Sequence, residues 1–182
     1  RGARAWAPRV PGARGLGRTR GRGGAWGVLA LLAGYLGVRA EVHARAVAVM
    51  EARVYGGETA EQVIATPGPV NPLRWRGLVR TGGTWRVVEV DLSREFNPEA
   101  GRVFPPPEGG RALEAARGSE VGRAFQRFAR APVWRAVPAS EPEGATVVTA
   151  TDLRFGDPEE GRFTAGILVD EAGRVLEERF RF

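Results

Sequence analysis

Between Gly23 and Val38 the chain reads GGAWGVLALLAGYLGV, an uncharged run bracketed by Arg22 and Arg39. Wound as an α-helix, that run covers about 24 Å of the ~30 Å hydrocarbon core of a bilayer. Snorkelling of the flanking arginines makes up the difference. Its apolar residues Trp26, Val28, Leu29, Leu31, Leu32, Tyr35, Leu36 and Val38 fall on every helical face. A helix apolar all round suits lipid better than a one-sided core, and Trp26 and Tyr35 sit near the ends, where interfacial aromatics are favoured. The expectation is a transmembrane helix, and with it the lipid bilayer as a partner. A secretory signal peptide is the rival. The apolar spacing continues past Val38, however, through Val42, Ala46, Val49 and Met50, so we expect a retained anchor that leaves the bilayer near Arg39 and runs on as an amphipathic stalk to Gly56-Gly57.

Charge is unevenly placed. The net charge of +6 comes from Arg without any Lys, and seven of the arginines lie in Arg1 to Arg22, where there are no acids. The rest of the chain is close to neutral, so the high isoelectric point describes a tail and not a basic binding domain. Trp6 is the one aromatic among those arginines. A loop held on the cytoplasmic side by the positive-inside bias is therefore expected, and no nucleic-acid partner. The domain that follows the span then lies outside the cytoplasm. The chain begins at Arg1 and not at Met, which reads as a piece of a longer protein.

There is no cysteine, and His43 is the one histidine. Disulfides and thiolate metal sites are excluded, and a zinc site built on several imidazoles cannot be assembled from these residues.

The expected fold class is α+β: one N-terminal transmembrane helix with an amphipathic extension, then an antiparallel sheet domain with a helix packed on one face. The expected boundaries are residues 1–23 for a disordered Arg/Gly-rich loop and 24–56 for the helix and stalk. Residues 57–72 form a short helix and Pro-rich connector, and 73–182 the α+β domain. Thr59-Ala-Glu-Gln62 reads as a capping box opening the short helix, which Pro67 ends. Leu73 to Thr81 and Thr84 to Leu92 form a hairpin about Gly82-Gly83. In that register Trp75 faces Val90 on an apolar side, while Arg74 faces Asp91 and Arg76 faces Glu89 on a solvated, charged side. Phe96 to Gly110, with its three prolines, is a surface loop. Arg111 to Arg117 and Ser119 to Arg130 are helices broken at Gly118, with Val121, Phe125, Phe128 and Ala129 as a core stripe. Strands follow at Val133 to Val137, Ala145 to Phe155, Arg162 to Val169 and Arg174 to Phe182, with Ile167 opposite Leu176 and Phe163 opposite Phe180.

The chain has no nucleophile elbow, P-loop or zinc-protease motif. Three side chains are candidates for contacting a ligand. Arg74 and Arg76 lie on one strand face and together suit an anion, although cross-strand ion pairs explain them as well. His43 on the stalk can titrate or ligate, or pack against a neighbouring helix. Asp152, Asp157, Glu159 and Glu160 cluster at a turn, but without calcium-loop spacing they read as a solvated turn.

Several short segments do resemble one family. VNPLRWRGLV (Val70 to Val79), ATDLRF (Ala150 to Phe155), DEAGRVL (Asp170 to Leu176) and YLGVRAEVHA (Tyr35 to Ala44) are similar to the C-terminal half of bacterial inner-membrane proteins described as membrane-bound metal-dependent hydrolases. The resemblance spans roughly Gly24 to Phe182. It implies a multi-pass protein of the bacterial inner membrane, with upstream membrane helices of the same protein as partners and a divalent metal as cofactor. The family's metal motif, of the form His-Arg-x-x-Thr-His-Ser, has no counterpart here, so no metal ligand carries over to any residue of this chain. The alternative is a non-catalytic, membrane-tethered binding or scaffold module.

Overall fold

The computed structural model describes residues 20–181, with side chains from Gly24 onward. It divides into two compact units, Arg1–Glu41 and Val42–Phe182. Most of the loop expected over residues 1–23 lies outside the described residues, but Arg20 to Gly23 already belong to helix α1, Arg20–Glu51. In the first unit the large apolar side chains from Trp26 to Val38 are all exposed, between 50% and 76%. The stretch Gly24–Glu51 has a hydropathy of 1.3 and is long and apolar enough to cross a membrane by length and composition.

The second unit is α+β. Its first sheet contains β3 (Gln62–Pro67), β4 (Arg74–Thr81), β5 (Thr84–Asp91) and β6 (Arg102–Phe104), antiparallel in that order. Its second sheet is a meander of β7 (Pro132–Pro138), β8 (Thr146–Asp152), β9 (Thr164–Val169) and β10 (Val175–Arg181). Between the sheets in sequence lie α2 (Arg111–Gly118) and α3 (Glu120–Phe128). Ser119 caps α3 by accepting a hydrogen bond from the Gly122 N–H, as the break at Gly118 predicts.

The β4–β5 register is the expected one: Trp75 opposes Val90, Arg74 opposes Asp91 and Arg76 opposes Glu89. Gly82 and Gly83 have φ of 51° and 81°, the two positive angles of a type I′ hairpin turn, which a side chain would strain. Both faces of this sheet are buried, however. On one face the end of α1 packs Ala46 and Met50 against Trp75, Val79, Val88 and Val90. Gly77 makes this approach possible, since a Cβ there would collide with the Met50 sulfur. On the other face Leu78, Trp85, Val87 and Phe104 meet Ala131, Val133 and Leu153 from the second sheet's side of the molecule. The second sheet's opposite face carries α2 and α3, with Leu113, Ala116 and Phe125 packed on Trp134, Val148, Ala165 and Ile167. Each fully buried side chain of this size stabilises the fold by about 1.5–3 kcal/mol.

Several expectations are corrected. Residues 59–67 are not a helix: Glu58–Thr59 (β2) pairs with Val54–Tyr55 (β1), and β3 is an edge strand on β4. Val63 and Ile64 are β-branched, and they face the two different cores, which an alternating strand satisfies and a short helix does not. Gly56-Gly57 turns the small β1–β2 hairpin, with φ of 60° and 92°, and does not stop the helix. The domain therefore begins well before residue 73, and the stalk is part of its core. Tyr55 closes the helix end by donating its hydroxyl to the Met50 carbonyl at 2.9 Å. Burial pushes that phenol up to about 12, against the lowering effect of Arg86 and Arg53.

The loop at Phe96 to Gly110 contains β6, which pairs with β5. In the last hairpin a bulge between Val175 and Glu177 shifts the register, placing Glu178 opposite Ile167 and Phe180 opposite Ala165. Glu178 thereby reaches α3, where it accepts the Val121 N–H at 3.0 Å. Phe128 leaves the core stripe and is 45% exposed.

Candidate functional site

Asn71 and Pro72 set the entry of β4. The Asn71 side chain accepts the Leu73 N–H at 2.9 Å, and the Pro72 carbonyl accepts the Trp75 indole N–H at 3.1 Å. This tight turn opens a groove of about 510 Å³ lined by Pro69, Val70, Asn71, Arg74, Trp75 and Arg76. Arg74 and Arg76 thus come together. His43 does not line the groove, and its exposed ring stands 5.3 Å from that of Trp75.

Both guanidiniums are occupied. Arg74 lies 3.4 Å from Asp91 and 3.9 Å from Glu89. Arg76 crosses to Asp157, with Nη2 at 2.7 Å from Oδ1. An anion entering the groove would compete with these carboxylates, so the two arginines are not a preformed anion site.

The acidic turn is solvated at Glu159 and Glu160, as expected, but not at Asp152 and Asp157. Asp157 is 4% exposed, and Arg102 joins Arg76 on its carboxylate. The short 3₁₀ turn Pro158–Glu160 then aims Glu159 at Arg102 and Arg135, at 3.3 and 2.9 Å. The hydrogen bond from Arg135 holds the Glu159 carboxyl below its ordinary range. Arg76 and Arg102 belong to the first sheet and Arg135 to the second, so two carboxylates tie the sheets together. The cost is one orphan, the buried Arg76 Nε, which has no acceptor among the described residues.

The ATDLRF segment has a structural assignment at each of its last four residues. Asp152, fully buried, accepts the backbone N–H groups of Arg130 and Arg154 at 3.0 and 3.1 Å. Its Oδ2 holds the Arg154 guanidinium at 2.7 Å. Burial pushes this carboxyl up, but those hydrogen bonds and the Arg154 charge outweigh it, and its pKa lies below 3.8. Leu153 is core. Arg154 lies over the rings of Phe128 and Phe155 at 5.3 and 5.0 Å. Phe155 in turn stacks on Phe163 at 4.3 Å and on Phe128 at 5.7 Å. Phe163 adopts φ of 46° to join this stack, a costly angle for an aromatic residue.

DEAGRVL is a hairpin turn. Asp170 accepts the Arg174 N–H at 2.7 Å and its guanidinium at 2.7 Å, and Gly173 supplies φ of 83°. The sequence reading missed the burial of Asp152 and Asp157. The signal available was a lone acid next to Arg154 and an acid–Pro step before two further acids.

Among the described residues no group of three His, Asp or Glu side chains is placed to hold a metal. The chain matches no family model, no curated protein and no solved structure.

Proposed function

We propose that this chain is a membrane-tethered binding module of α+β fold. One observation carries the reading: eight large side chains between Trp26 and Val38 are at least half exposed on the same helix whose last turns enter a protein core. A continuous apolar surface of that extent needs an apolar environment. In the segments that resemble the hydrolase family, Asn71 holds a turn, Asp152 and Arg154 an ion pair, Phe155 an aromatic stack and Asp170 a hairpin. The seven arginines of residues 1–22 support, under the positive-inside bias, a cytoplasmic N-terminal side with the domain on the opposite face of the membrane, and the family resemblance supports a bacterial inner membrane.

The family resemblance carries a second reading, in which the chain is the C-terminal part of a metal-dependent hydrolase. It requires ligands from beyond the described residues, and His43 is the single imidazole any such site could draw from this chain.

Fractionation tests the tether. The full chain should stay in the membrane pellet through an alkaline carbonate wash and enter solution with detergent. Replacing Leu29, Leu31, Leu32 and Leu36 by Gln should release it. Recovery of the chain in the soluble fraction, shortened by loss of its apolar N-terminal stretch, would establish a signal sequence in place of an anchor.

A further inference from the structure

Strand β7 ends the second sheet, with β8 on one side and, among the described residues, no strand on the other. Its register with β8 runs unbroken from Pro132↔Asp152 to Pro138↔Thr146. Two hydrogen bonds just beyond its ends fix which backbone groups point inward. The Ala139 N–H donates to the Ala145 carbonyl at 2.8 Å, and the Leu153 N–H donates to the Ala131 carbonyl at 2.9 Å. In an antiparallel ladder a residue's N–H and C=O point to the same side and alternate along the strand. Val133, Arg135 and Val137 therefore face β8, and Pro132, Trp134, Ala136 and Pro138 face outward. Both prolines thus fall at outward positions, where no ladder hydrogen bond is lost. Between them Trp134 and Ala136 present two N–H and two C=O groups with no partner among the described residues.

This edge is not open to a broad surface. It borders a groove of about 600 Å³ whose far wall runs through Val103, Pro105 and Pro107 to Arg111. Val103 and Val137 are 48% and 52% exposed across it. Glu108 and Arg111 offset one another in charge. The other edge of the same sheet, β10, carries Glu177, Glu178, Arg179 and Arg181, the usual defence against unwanted pairing. In β7 the one charged residue is Arg135, and it is engaged by Glu159.

We propose that β7 is a strand-addition site that takes one short, extended peptide segment of a partner protein, with small or β-branched side chains at alternate positions. The two free N–H/C=O pairs provide four backbone hydrogen bonds, the flanking prolines limit the register, and the valines meet alternate side chains. A second copy of the whole chain fits less well, because the Pro105 to Pro107 wall stands where a partner sheet would lie. The proposal rests on the reading of this domain as a binding module, and names the class of partner.

The test is amide hydrogen exchange on the full chain in detergent micelles, probed with a blocked pentapeptide of alternating valine and threonine. Without peptide, the Trp134 and Ala136 amides should exchange about 100-fold faster than Arg135. The peptide should slow both, and the same peptide N-methylated at its valines should not. Ala136→Pro removes one outward N–H and should weaken peptide binding about tenfold while leaving the melting temperature unchanged. Protection of the two amides in the free chain at low concentration, or no protection by the peptide, overturns the proposal. Protection that appears only as the chain self-associates assigns the edge to a second copy, which also overturns it. Carbonate extraction reads the tether separately, so loss of either result leaves the other standing.

Discussion

Arg76 and Asp157 are 81 residues apart in sequence, yet Nη2 and Oδ1 lie 2.7 Å from each other, and the aspartate is almost wholly buried. Arg76 stands directly opposite Glu89 in the hairpin but spends its charge on the neighbouring sheet. A cross-strand pair would have been local and solvated. The pair that forms is long-range and crosses the interior of the domain.

Removing one member of that pair should be felt. Asp157→Asn leaves two arginines facing a neutral side chain and should cost about 1–3 kcal/mol, below the figure for a fully buried pair because Arg76 is about one-third exposed. Arg76→Ala should cost a similar amount. In the double variant the losses should fall short of their sum by about 1 kcal/mol or more, read from denaturant midpoints. Full additivity would mean the two side chains do not interact.

Trp75 and Arg74 are neighbours with opposite prospects. Trp75→Ala empties a core position beneath α1 and should cost about 3–5 kcal/mol. Arg74→Ala removes an exposed ion pair and should change stability by less than about 1 kcal/mol. Comparable losses for the two would contradict the observed facing of β4.

Acid should weaken the fold through Asp152. Its folded pKa lies below the ordinary 3.8, so the stabilisation is complete above that value and is lost as pH falls through the lower folded one. The melting temperature should be flat from pH 7 to about 5 and drop below about pH 4. Asp152→Asn should be less stable at neutral pH and show a shallower acid limb. An unchanged limb in the variant would locate the acid sensitivity in other carboxylates.

Boundaries matter for the soluble unit. Residues 42–182 should fold without metal and keep their thermal transition in a strong chelator, as monitored by circular dichroism. Residues 72–182 should not fold cooperatively, because they lack β3 and the Ala46–Met50 cap on the Trp75 face. A cooperative transition in the shorter piece would show that the first sheet tolerates an open edge and an uncovered face.

What could be read from sequence was whatever local chemistry decides. Gly82-Gly83 fixed the hairpin, and Ser119 after Gly118 fixed the helix break, because turn angles and caps depend on a few adjacent residues. The α+β class followed from spacing. Thr59 to Gln62 misled because a capping-box pattern is satisfied by four residues, while β3 exists by pairing with β4. The bulge at Val175 to Glu177 depends on how β10 meets α3. Of the candidate site residues, Arg74 and Arg76 were rightly placed on one strand face, but their partner Asp157 belongs to a distant turn that no local pattern links to them. That β7 has one neighbouring strand among the described residues is likewise a property of the assembled sheet.

Met50 is the single methionine of the chain, and its thioether is pressed against Gly77 under the first sheet. That makes it a clock. Peroxide reaches the sulfur only when the helix end lifts, so the rate of sulfoxide formation reports how often this core opens. Once formed, the sulfoxide adds a polar oxygen where even a glycine Cβ has no room. Oxidation should therefore trap the opened state, each modified molecule holding its helix end off the sheet.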